Sequence, residues 1–165
     1  MHIRDCTPAD VPALVDLTIE VFRPLFTGSL LELRPEVTRH DHGRWEDDYR
    51  HEVPALLDPS QDRFVTLAEA DGRVLGFVGW NVTGGTSGRL DMVAVRPTAR
   101  RTGVARTLCT AVIDRLAARG VEVVHIGTGG DEFHAPARAL YDSLGFTALP
   151  TVDYARALSV ADAGR

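Results

Sequence analysis

Val93-Ala94-Val95-Arg96-Pro97-Thr98-Ala99-Arg100-Arg101-Thr102-Gly103-Val104-Ala105 is the stretch on which the reading of this chain turns. An apolar, β-branched run stops at Pro97 and a short basic turn follows. Gly103 then opens an amphipathic helix with Val104, Leu108, Val112 and Leu116 on one face. A helix N-terminus has unpaired N–H donors and about half a unit of positive charge, so phosphate suits it. Gly103 has no side chain to hold such a ligand away from the backbone. The stretch reads as a strand–turn–helix cradle for a polyanion.

Working outward places the cradle in a sheet. Residues 64–70 and 74–82 read as two strands joined at Asp71-Gly72, a strong hairpin signal. Gly76 and Gly79 in the returning strand suggest a bulge or close packing. Residues 89–95 form the strand that enters the cradle, and the helix over 103–119 ends at Gly120. Residues 121–126 are nearly all apolar and predict a central strand. The pattern over 89–126 predicts a parallel crossover.

The flanks add further elements. Residues 2–6 predict a strand, and Thr7-Pro8-Ala9-Asp10 starts a helix that buries Val11, Leu14, Val15, Thr18 and Val21 or Phe22. A second helix falls within 35–57, where the periodicity is blurred and charge is dense. A helix over 136–144 and two short strands, 146–149 and 153–158, follow. The hairpin strands precede the phosphate turn, which excludes a doubly wound nucleotide fold. The class is α/β with a mixed sheet.

Bulk properties narrow the function. A chain of 165 residues suits one domain, 1–165, with a real core. A net charge of -5 argues against nonspecific nucleic-acid binding as its main role. No apolar run is long enough for a bilayer, and Met-His-Ile-Arg-Asp has no signal-peptide character. Cys6 and Cys109 read as reduced thiols, so the expected compartment is the cytoplasm.

Two motifs in order carry a family resemblance. Arg100-Arg101-Thr102-Gly103-Val104-Ala105 fits Arg or Gln, two residues, Gly, one residue, Gly or Ala. His134, Ala137, Tyr141 and Gly145-Phe146 fit a helix reading Asn, two residues, Ala, three residues, Tyr, three residues, Gly-Phe, with His in place of Asn. The chain resembles the GNAT superfamily of acetyl-CoA-dependent N-acetyltransferases over nearly its whole length. That resemblance implies a mixed six- to seven-stranded sheet flanked by about four helices.

It also implies roles. The backbone of Arg101, Thr102, Gly103, Val104 and Ala105, helped by Thr102 and an arginine such as Arg100, would hold the pyrophosphate of acetyl-CoA. Val93, Ala94 and Val95 lie on the strand whose backbone pairs with the pantetheine amides, splayed from its neighbour at 121–126. An N–H near Val93 would polarise the thioester carbonyl. His134, Ala137 and Tyr141 would line the cofactor, with Tyr141 beside the sulfur as acid to the leaving thiolate. A phenol near 10 is a weaker acid than a thiol near 8.5, by roughly 2 kcal/mol. A hydrogen bond that strengthens as the thiolate forms is the better description.

The acceptor implied is a primary amine, for which only about one molecule in 10³ is neutral at pH 7. A base or a desolvated pocket must offset that handicap of roughly 4–5 kcal/mol. Asp91, Glu69, Glu132 and His125 are candidates, and Asp91 leads because it stands two residues before Val93, where alternation would place both on one face. Residues 39–52 hold Asp41, Glu46, Asp47, Asp48 and Glu52 with Trp45 and Tyr49 between them. That composition suits either a cationic small-molecule or peptide amine or a solvated helix face. Alternatives are a non-catalytic acetyl-CoA sensor, a longer acyl donor, or a metal at His40, Asp41, His42 and His51, whose spacing matches no tight ligand set. No metal, nucleic acid or membrane is expected, and homodimerisation stays open.

Overall fold

Apolar alternation in successive segments builds one sheet with a helical layer on each face. The computed structural model describes residues 1–158. Its strands are β1 (His2–Asp5), β2 (Arg63–Ala70), β3 (Arg73–Val82), β4 (Ser87–Val95) and β5 (Val123–Ile126), in the spatial order β1-β2-β3-β4-β5. The first three junctions are antiparallel and β4–β5 is parallel. Asp71 and Gly72 take φ of 50° and 71°. Positive φ at both central residues is what a two-residue hairpin turn requires.

On one face lie α1 (Val11–Pro24) and α4 (Trp45–Glu52), with the short α2 (Leu30–Leu33) and α3 (Pro35–His42) between them in the chain. Leu14, Leu17, Val21, Val53, Leu56, Val65, Leu67, Phe77 and Ala94 make the core beneath them. The other face is covered by α5 (Val104–Ala118), whose Val104, Leu108, Val112 and Leu116 pack on Val78, Trp80 and Leu90. Phe77 and Val78 are sequence neighbours on opposite faces, as strand alternation demands. The short α6 (Ala135–Ser143) follows β5. A capping interaction starts the chain's first helical turn: Thr7 N donates to Asp10 Oδ2 at 2.8 Å.

Two bulges interrupt the ladders. Ala68 pairs with Gly76 but Glu69 with Val74, leaving Leu75 as the extra residue. Gly79 pairs with Met92 but Trp80 with Leu90, leaving Asp91 unopposed. The second bulge turns the side-chain alternation over, so Leu90 packs under α5 while Met92 faces the α1 core.

Four expectations need correction. The sheet has five strands among the described residues, because residues 146–158 pair with no strand. With nothing added beyond it, β5 is an edge and not a central strand, and Val123 is 52% exposed. The helix within 35–57 is two helices, α3 and α4, broken around Gly43, with α2 before them. Alternation also fails to hold Asp91 and Val93 on one face: Asp91 lines a cleft on the α1 side, whereas Val93 packs under α5.

Candidate active site

The turn after β4 is built to leave N–H groups open. Pro97–Ala99 makes a single 3₁₀ turn, closed by Ala99 N donating to Arg96 O at 2.9 Å. Arg100 is extended, and Arg101 and Gly103 then take φ of 64° and 88°. The first backbone bond into α5 is donated by Thr107 N to Gly103 O at 3.0 Å. The N–H groups before it in the first turn therefore have no acceptor within the helix. An added Cβ at Gly103 would meet nothing within 4 Å, so the space over this end is open.

Side chains around the turn divide into free and committed. Arg101 is exposed, and Arg100 is exposed with Nε 3.5 Å from Val95 O. Arg96 is occupied: it pairs with Glu20 at 2.5 Å and donates to Val74 O. The Thr102 hydroxyl donates to Ala99 O at 2.7 Å, so what Thr102 leaves open is its backbone N–H. Val104 is buried, which fixes the helix end against the sheet.

Next to the turn, β4 has one unpaired edge. Gly76, Phe77 and Val78 of β3 pair with Val95, Ala94 and Val93 on one side. On the other side the ladder to β5 ends at Leu90 and Ile126. Beyond that point β4 continues to Val95 with no strand beside it on that side among the described residues. Backbone groups along such an edge need partners, which water or an extended amide chain can supply.

Tyr141 is the buried residue of α6, at 9% exposure, with its ring edge-on to Phe146 at 6.0 Å. Burial, with the neighbouring Cys109 group, pushes its phenol well above the ordinary value. His134 occupies the N-cap position of α6 but does not cap it with its side chain. Its Nδ1 lies 2.6 Å from Asp131 Oδ2 instead. Burial works to raise the Asp131 carboxyl, yet the His134 hydrogen bond and charge hold it below its usual value. Arg138 donates to Gly129 O and Asp131 O, pinning the loop before α6, and Ala137 is half-buried.

Asp91 accepts from Asn81 Nδ2 at 2.6 Å and lies 3.6 Å from Arg89 Nε. It belongs to a polar row that crosses the sheet. Arg63 pairs with Asn81, Asn81 with Arg89, and Arg89 with His125. Register partners share a face, so four strands present these groups on the α1 side. A cleft of about 810 Å³ opens there, lined by Asp91, Asn81, Arg63, Asp58, His51 and Thr83 among others. Arg63 Nε and Asn81 Oδ1 are buried in its wall without hydrogen-bond partners. Such an atom costs roughly 1–3 kcal/mol when left unpaired.

The other base candidates separate. Glu69 is held by Arg4, which donates to it at 2.6 and 3.0 Å and also binds Asp10, so it is a structural group. Glu132 is exposed in the turn before α6. His125 is exposed on the polar row. Two of the five acids in the acid-rich segment are met by arginines: Glu46 pairs with Arg23 at 2.8 Å and Asp47 with Arg50 at 2.7 Å. Trp45 stacks on Phe26 at 5.0 Å and Tyr49 packs on Phe22 at 5.5 Å. Tyr49 thus packs α4 on α1, and Trp45 packs α4 on the π-helical turn Leu25–Ser29 that follows α1.

Arg63, Asn81, Asp58 and His51 were not legible as a group. Counting back from the Asp71-Gly72 turn sets residue 63 opposite residue 80, and only the bulge at Leu75 brings Asn81 there. Cys6 and Cys109 are both buried free thiols, which disfavours the thiolate form a nucleophile needs. Burial pushes Cys6 up to about 11 and Cys109 up to about 12.

Residues 22–146 match the Acetyltransferase (GNAT) family, and the chain belongs to that family. A mycothiol acetyltransferase of Thermomonospora curvata is 35% identical over 109 residues, covering 65% of this chain and 35% of the relative. One of Thermobispora bispora is 31% identical over 153 residues, covering 86% and 50%. The chain thus spans half or less of the length of these relatives. Among solved structures, a putative acetyltransferase of the GNAT family from Desulfovibrio desulfuricans superposes with TM-score 0.67 at 20% identity, covering 90% and 86%. AAC(6')-Iy in complex with the bisubstrate analog CoA-S-monomethyl-acetylneamine gives TM-score 0.67 at 17% identity, covering 96% and 98%. At these identities the likeness is one of fold.

Proposed function

We propose that this chain is an N-acetyltransferase that moves the acetyl group of acetyl-CoA to a primary amine of a small molecule or peptide, by direct attack in a ternary complex. The observation that carries the reading is one continuous track. It runs from the open helix end at Gly103, along the unpaired edge of β4, to the bulge at Asp91. A polyanion followed by a chain of amides is the ligand such a track fits. The N–H groups of Arg101 to Ala105 hold the pyrophosphate, with Arg100 and Arg101 adding charge. Val93 to Val95 pair with the pantetheine arm, and Ala137 and His134 border it.

Asp91 takes the proton of the attacking amine, whose nitrogen bonds to the thioester carbon. The backbone near Val93 stabilises the oxygen that gains charge, the carbon–sulfur bond breaks, and Tyr141 donates a hydrogen bond to the thiolate that leaves. Its raised phenol pKa keeps it a hydrogen-bond donor throughout the working range. The protonated, buried thiols of Cys6 and Cys109 support direct attack over an acyl-enzyme.

The test is thiol release from acetyl-CoA against a panel of amines, with calorimetry of acetyl-CoA binding alongside. Gly103→Val should weaken binding by about tenfold or more, because its side chain would project into the open space over the helix end. A wild-type chain that does not bind acetyl-CoA would overturn the assignment.

A further inference from the structure

The cleft beside Asp91 holds two polar atoms whose demands are opposite and unmet. Arg63 Nε is a donor and Asn81 Oδ1 an acceptor, both buried without partners. They stand on directly paired residues of β2 and β3, so their side chains are cross-strand neighbours on one face. The orientation of the Asn81 amide is settled by chemistry. Asp91 carboxylate only accepts, so the NH₂ end must face it at 2.6 Å, and the oxygen is turned away. Arg63 and Asn81 both line the cleft of about 810 Å³, together with Asp91, Thr83 and His51.

We infer that Arg63 and Asn81 form the acceptor's recognition subsite, selecting primary amines that carry an oxygen acceptor next to the amine-bearing carbon. This rests on the acetyl-transfer reading for the fate of the amine but not for its binding. Asn81 Oδ1 takes an N–H of the amine and keeps the nitrogen beside Asp91. Arg63 Nε donates to the neighbouring oxygen, whether hydroxyl or carboxylate. An amine without that oxygen leaves Arg63 unsatisfied, and a site built to bond a group rejects the analogue that lacks it. Alkyl amines and simple polyamines are therefore poor acceptors.

Three amines of one shape test this: propan-2-amine, 2-aminopropan-1-ol and alanine. Each is titrated calorimetrically into the CoA-saturated protein and assayed by thiol release from acetyl-CoA. At least one oxygen-bearing amine should bind about tenfold or more tightly than propan-2-amine, with KM moving in parallel. The alcohol and the acid arms distinguish a hydroxyl from a carboxylate as the oxygen. In Arg63→Met, which keeps the length of the apolar stem, the three should fall within about twofold. Equal binding of all three by the wild type, a comparison that needs no variant, would overturn the subsite. So would selectivity that survives in Arg63→Met. Selective binding with no thiol released from any amine would leave the subsite standing and remove the acetyl-transfer reading.

Discussion

Tyr141 shows how far a single residue's chemistry follows from its surroundings. Helical spacing marks it as either core or functional, and the structure makes it buried, beside Cys109, with its phenol pushed up. Full proton transfer to a thiolate is then more unfavourable than in water, so the role proposed for it is a hydrogen bond that tightens as charge reaches sulfur. Tyr141→Phe should lower kcat by about 10- to 100-fold while leaving KM for acetyl-CoA within about threefold, read in steady-state thiol release. A loss confined to KM would assign Tyr141 to binding alone. Asp91 teaches the converse lesson. Its candidacy rested on strand alternation with Val93, and the bulge it occupies breaks that alternation, placing it instead in a cleft with Asn81.

At the scale of elements, β3 and β4 depend on close backbone approach. Gly76 sits opposite Val95, where an added Cβ would lie 2.7 Å from Ala94 O. That neighbour is backbone inside a paired strand and has no room to move. Gly76→Ala should cost roughly 1–3 kcal/mol, seen as a lower urea midpoint with the slope unchanged. An unaltered midpoint would mean the ladder at this bulge yields easily. The strand–turn–helix at the cradle was legible because proline, glycine and apolar periodicity all act locally. Gly76 and Gly79 marked β3 for a bulge or close packing, and a bulge stands beside each; which residue each bulge leaves unopposed, Leu75 and Asp91, was not legible, since that depends on the register of a second strand. Residues 146–149 and 153–158 have strand-like composition yet join no strand among the described residues, because composition cannot say whether an edge is available.

For the whole molecule, two cores on either side of one sheet explain how stability should respond to pH. Cys6 and Cys109 are held near 11 and 12, against about 8.5 for an exposed thiol. Their burial stabilises the fold fully below about pH 8.5, and that contribution is lost as pH rises through the folded values. Asp10 is held low chiefly by Arg4, so its contribution is present above about pH 4 and lost only as pH falls through its depressed folded value. Tm should therefore fall steadily above pH 8.5, with a shallower alkaline slope in Cys109→Ala. Both thiols should react with a disulfide reagent at pH 8 only as fast as the protein opens. Rapid labelling of the folded chain would contradict this. The sequence by itself determined the strand–turn–helix after β4, the hairpin and the parallel crossover, because those follow from periodicity and turn chemistry within short stretches. Only the tertiary structure decided the edge position of β5, the face of Asp91 and the meeting of Arg63 with Asn81. These depend on strand register, which the bulges at Leu75 and Asp91 shift by one residue each, and register is a relation between strands distant in sequence.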